Sequence, residues 1–163
     1  MDYPLLQHQM PERIKKVWLK STLFTTLVCL VLGGIGVGVV WWFLQLKGIW
    51  LVLLISYFVV TCLISLINLI LIPYRYNFHR YEVSPEDLSF QKGYIFREIT
   101  YVPINRIQHI ETEQGPFLRK EQLMEIIIHT AATSHKIEGL EIEEAKKLRE
   151  QIINMIKVAE QDV

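Results

Sequence analysis

Any chemistry in this chain of 163 residues must come from five histidines, two cysteines and its charged side chains. The histidines are His8, His79, His109, His129 and His135, and no two are four residues apart. There is therefore no H-x-x-x-H pair and no H-E-x-x-H zinc helix. His109 and Glu111 are two apart and share a face if that stretch is a strand, and His129 can face a residue of a neighbouring strand. Ordinary surface and packing roles account for these positions. Cys29 and Cys62 both fall in uncharged runs and match neither metal-ligand spacing nor a disulfide framework. No G-x-S-x-G elbow, no G-x-x-x-x-G-K-[ST] and no G-x-G-x-x-G is present. The sequence thus predicts a non-enzyme, with no catalytic residues, cofactor or metal.

Basic residues offer a different chemistry, the capture of phosphate or carboxylate. Arg75, Arg80, Arg97, Arg106, Arg119 and Lys120 are the candidate contacts for lipid head groups or a partner. They lie in a segment, from Arg75 onward, that holds 12 Lys/Arg against 15 Asp/Glu, a net of −3. A net-acidic segment is a poor general binder of polyanions, which excludes nucleic acid and leaves membrane lipids only local basic patches.

The elements that position these residues follow from an uneven distribution of charge. The average composition is 51% hydrophobic and 21% charged, yet Ser21–Tyr74 holds one charge, Lys47, in 54 residues. Two runs of this length each exceed the ~20 residues that cross a hydrocarbon core. The division expected is a cytoplasmic segment over 1–20, membrane helices over 21–46 and 49–74, an extracytoplasmic turn at 47–48, and a cytoplasmic domain over 75–163. The first run is too long for a signal-peptide core and lacks a small-residue cleavage site, so it reads as a retained anchor. Arg13, Lys15, Lys16 and Lys20 before the first span, with Arg75 and Arg80 after the second, place both ends in the cytoplasm. Trp18, and Trp41, Trp42 and Trp50, fall where amphipathic rings mark the two interfaces.

Within the spans, Gly34 and Gly38 fit the small-x-x-x-small pattern that lets helix backbones approach, either within the hairpin or against a partner. Asn68 is the one strongly polar side chain deep in the second span. No acid, base or histidine lies in either span, which argues against a proton relay or ion path. Before the first span, Pro11–Lys20 carries Ile14, Val17 and Trp18 at helical spacing and predicts a short interfacial helix.

After Tyr74 the pattern turns to short alternating runs. Tyr76–Val83 reads as a strand with Tyr76, Phe78 and Arg80 on one face, Ser84–Asp87 as a turn, and Leu88–Gln91 and Tyr94–Val102 as strands. Ile104–Thr112 follows, with a bulge implied by the three-residue spacing of Ile107 and Ile110. Ile126, Ile127 and Ile128 are consecutive in Leu123–Thr130, as in a strand covered on both faces. Ser134–Leu140 is one more strand. Ile142, Ala145, Leu148, Ile152 and Ile156 then mark an amphipathic helix. The fold class is α+β: a two-helix transmembrane hairpin, then a small antiparallel curved sheet or partial barrel closed by a C-terminal helix.

The stretches YNFHRYEV (76–83), LSFQKGYIF (88–96), VPINRIQHI (102–110), QGPF (114–117) and the closing helix with Ala145 and Leu148, all behind a two-helix hairpin, resemble the bacterial pleckstrin-homology (PH)-like domain of small membrane proteins of the YdbS-like family. The resemblance implies a membrane-tethered adaptor that works beside a larger membrane protein bearing repeated PH-like domains, or by self-association. It also implies a setting in envelope stress or tolerance of membrane-active peptides. Lipid head-group binding is the alternative that the fold implies.

Overall fold

The computed structural model describes residues 5–44, 48–93 and 98–161. The chain forms two compact units, a hairpin of Trp18–Ile72 and a domain made of Met1–Val17 together with Pro73–Val163.

In the hairpin, α1 (Ile14–Leu44) and α2 (Ile49–Phe78) are long and apolar enough to cross a membrane. Among the described residues little covers them: Leu27, Leu32, Ile35, Val60 and Ile67 are each more than half exposed. Such a surface is untenable in water and is the required exterior in hydrocarbon, where a helix satisfies its own backbone. Polar and small residues join the two helices. The Thr26 hydroxyl meets Ser65 Oγ at 2.8 Å, and the Tyr57 hydroxyl donates to the Cys29 carbonyl at 2.8 Å. Gly33 is buried against Tyr57, whose ring a Cβ there would strike. Lys47 lies outside the described residues.

The domain begins with β1 (His8–Gln9), which pairs antiparallel with β2 (Arg80–Val83). Strands β3 (Asp87–Lys92) and β4 (Glu98–Pro103) complete a four-stranded sheet in the order β1-β2-β3-β4. A 3-10 turn at Ile104–Arg106 leads to β5 (Ile107–Glu113). After α3 (Pro116–Lys120), β6 (Leu123–Thr130) and β7 (Ser134–Glu141) complete a second sheet in the order β5-β6-β7. The two sheets do not close into a barrel. Helix α4 (Ile142–Gln161) closes the core with Ala145, Leu148 and Ile152. Opposite them are Leu88 and Phe90 of β3, Val102, Ile104 and Ile107, Ile126 and Ile128 of β6, and Ile137 and Leu140 of β7. Each fully buried Leu or Ile contributes about 1.5–3 kcal/mol relative to exposure. The implied bulge is present as a register shift between Ile107 and His109.

Two expectations are corrected. Tyr76–Phe78 is not strand: α2 runs through Pro73 to Phe78, and β2 starts only at Arg80. The helix of the second span continues past Pro73 for another turn, and its phase buries Tyr76 under the Lys15 ammonium, 3.9 Å from the ring centre. The N-terminal segment also differs. Helix begins at Ile14 as the first turn of α1, and the residues before it belong to the domain. Leu6, Met10, Ile14 and Val17 are buried. The Leu6 N–H donates to Gln91 Oε1 at 3.1 Å, and Arg80 Nη1 donates to the Leu6 carbonyl at 3.1 Å. Ile14 fills the space left by Gly139, which has φ +73°. The apolar spacing of Ile14 and Val17 therefore serves protein packing rather than a lipid surface.

Ile14→Ala should destabilise the domain by about 2–5 kcal/mol. Gly139→Ala should destabilise it as well, through both φ and the collision with Ile14. The double variant should lose less than the sum, read by denaturant unfolding of the detergent-solubilised protein. Between α2 and β2, His79 is held below the ordinary histidine value of 6.5, first by burial and then by the Arg75 guanidinium. The folded state thus prefers it neutral, while the unfolded chain takes up the proton. Its contribution to stability is full above pH 6.5 and declines as pH falls below it. His79→Gln should flatten that acid-side decline in unfolding midpoints, leaving a residue from His135, which is shifted the same way by burial.

Candidate functional site

The five basic candidates among the described residues do not converge. Arg75, in the last turn of α2, places Nη2 at 2.8 and 3.1 Å from the two carboxylate oxygens of Glu138. Arg80 is bound to backbone: Nε donates to the Asn77 carbonyl at 3.2 Å and Nη1 to Leu6. Both side chains hold the domain together. Arg106, at the end of the 3-10 turn, is exposed, as are Arg119 and Lys120 in the last turn of α3. Arg97 lies outside the described residues.

Among the described residues, two concavities lie beside α4. One is lined by Pro85, Lys147, Gln151, Met155 and Val158, along the outer side of that helix. The other is a smaller cleft where His8 stacks on Tyr81 (ring centres 5.3 Å apart) and the Tyr81 hydroxyl donates to Glu144 Oε1 at 3.1 Å. Burial and the adjacent Glu144 carboxylate push the Tyr81 phenol far above its usual range, so it stays a proton donor. This cleft mixes His8 from the N-terminal segment with residues of β2 and α4, a combination that depends on β1 pairing and has no local signal in the sequence.

The hairpin holds a site of different character. Ser21, Thr22, Thr25 and Thr26 of α1 face Thr61, Ser65 and Asn68 of α2 across a groove of about 310 Å³. The spacing explains the lining: Thr22, Thr25 and Thr26 recur at three and four residues, as do Thr61, Ser65 and Asn68, so each set shares a helix face. Thr26 also bonds back to the Thr22 carbonyl at 2.8 Å, and the Asn68 amide donates to the Ile64 carbonyl at 2.9 Å. Asn68 remains exposed. Gly34 and Gly38 are exposed too, and a Cβ at either would meet open space. Sequence reasoning singled out Asn68 but missed the hydroxyls around it, because Ser and Thr barely alter the hydropathy of a span.

The family profile of the bacterial PH domain matches residues 15–156. The transmembrane protein YdbS of Bacillus subtilis (strain 168) is 35% identical over 157 residues, covering 91% of each chain. No solved structure matches. A match that runs from the first helix into the last, together with a membrane hairpin joined to two antiparallel sheets and a closing helix, leads to one conclusion: the chain belongs to the bacterial PH domain family.

Proposed function

We propose that this chain is a membrane-anchored PH-like adaptor, not an enzyme, that binds a second membrane protein through its hairpin. The observation that carries the reading is the hydroxyl-lined groove with Asn68 at its lip, on helices otherwise clothed in apolar side chains. Hydrocarbon gives such groups nothing to bond to, whereas a neighbouring helix with polar or small residues does. The open faces of Gly34 and Gly38 favour the same kind of neighbour, since a partner backbone can approach them closely. The partner is a larger membrane protein bearing PH-like domains, or a second copy. Envelope stress or attack by membrane-active peptides is the setting proposed by resemblance.

Both termini are proposed to be cytoplasmic. Pairing of β1 with β2 puts the two flanks of the hairpin into one folded unit and supports a common side. The basic flanks, Arg13, Lys15 and Lys16 before the hairpin and Arg75 after it, favour the inner side. A second reading, lipid head-group binding, has Arg106, Arg119 and Lys120 in its favour as exposed cations.

Crosslinking in native membranes followed by co-purification should capture a membrane protein or a second copy. Asn68→Leu and Gly38→Leu should each cut that capture about threefold or more. Gly33→Leu should instead disrupt the hairpin itself, by collision with Tyr57. Capture of no protein, with salt-sensitive vesicle binding lost in Arg119→Glu and Lys120→Glu, would replace the adaptor reading with the lipid one.

A further inference from the structure

On the face of the β5-β6-β7 sheet turned away from the core, one row across the strands reads His109, His129, Ser134. Glu111 stands two residues along β5 from His109, on the same face. The two imidazoles stack, with ring centres 4.2 Å apart and planes inclined by 13°. Both present Nε2 to one carboxylate: His109 lies 3.5 Å from Glu111 Oε1, and His129 lies 3.4 Å from Glu111 Oε2. One donor atom from each residue falls within 4.8 Å of the other two.

The two nitrogens of His129 are in different situations. Nδ1 is engaged by Ser134 Oγ at 2.8 Å, whereas Nε2 is shielded from solvent and has no hydrogen-bond partner. That is the arrangement of a metal-ligating histidine, in which one ring nitrogen is held by an oxygen and the other is left to the ion. Two imidazole nitrogens and a carboxylate supply three ligands of a type suited to Zn2+ and its first-row neighbours, not to oxygen-seeking Ca2+ or Mg2+. His109 and Glu111 are about half exposed, which leaves an entry path and room for water in the remaining coordination positions. Glu113 and Glu125 continue the same face as a cross-strand pair, bridged by the Lys136 ammonium at 3.9 and 3.8 Å.

We propose that His109, Glu111 and His129 form a binding site for a divalent transition-metal cation, with Ser134 as the positioning residue for His129. To take the ion, the stacked rings tilt about their side-chain torsions until their lone pairs converge. The bound cation then ties the edge strand β5 to the central strand β6. The expectation of no metal in this chain rested on spacing along the sequence, whereas these ligands are brought together across strands.

The test uses tag-free, full-length protein in detergent, stripped by chelator and then dialysed against ZnCl2 or CoCl2 with metal analysis of the retained protein. One equivalent of zinc per chain is expected, with a raised unfolding midpoint, and Co2+ should give a visible ligand-field band. His109→Ala and His129→Ala should each abolish stoichiometric uptake, and Ser134→Ala should weaken it about tenfold or more. Glu111→Gln, nearly isosteric and exposed, should lose affinity while its metal-free unfolding midpoint stays at the parent value, which separates ligation from folding. His135→Ala, on the same sheet but stacked on Phe90, should bind as the parent does. No stoichiometric uptake by the parent chain, or uptake that the His109, Glu111 and His129 variants leave unchanged, would overturn the site.

Discussion

Two helices of about thirty residues whose apolar spans the described residues leave largely uncovered set the terms for the rest of this protein. A backbone that leaves water must satisfy its own hydrogen bonds, and α1 and α2 do so as uninterrupted helices apart from the missing N–H of Pro73. That requirement leaves few places where polarity can appear in the spans. The hydroxyl groups of Thr26 and Ser65 spend part of their capacity on each other, and Thr26 and Asn68 on backbone four residues earlier. Polar groups that remain on a lipid-facing surface after such local bonding are costly to keep without a purpose, which is why the groove, and not the basic residues of the domain, anchors the functional reading.

Much of the domain was readable from pattern alone. Ile126–Ile128 announced a strand buried on both faces, and all three are buried in β6. The period from Ala145 to Ile152 marked α4, and the spacing of Ile107 and Ile110 marked the bulge. What escaped was non-local. His8–Gln9 is a two-residue strand with no apolar alternation, defined only by partners at Tyr81 and Arg80. Helix α3 spans five residues, too few to show a period. In the hairpin, the glycine cluster was plain, but which glycine faces inward depends on the rotation of one helix against the other. Gly33 meets Tyr57, whereas Gly34, about 100° further round, meets nothing.

The basic residues show how composition misleads about sites. Arg75 and Arg80 looked like the natural phosphate contacts, being arginines close to the second span. Instead they hold Glu138 and two backbone carbonyls, so they serve the junction between the second helix and the sheet. Carboxylates gather elsewhere, with Glu111, Glu113 and Glu125 on one face of the second sheet beside the single ammonium of Lys136, 3.9 and 3.8 Å from the last two. With three acids against one lysine, that face favours cations over head-group phosphates.

The register of β1 on β2 has a bearing on biosynthesis. Gln9 leaves the ribosome before the two apolar helices, and its partner Arg80 follows roughly seventy residues later, after both of them. The first sheet therefore cannot be completed until the hairpin has been made, and Leu6 and Met10 must wait without their native cover while the translocation machinery handles the spans. Integration into the bilayer and maturation of the soluble fold are coupled in time by this one short pairing, and a fragment cut at residue 75 would be born without the piece that finishes its first sheet.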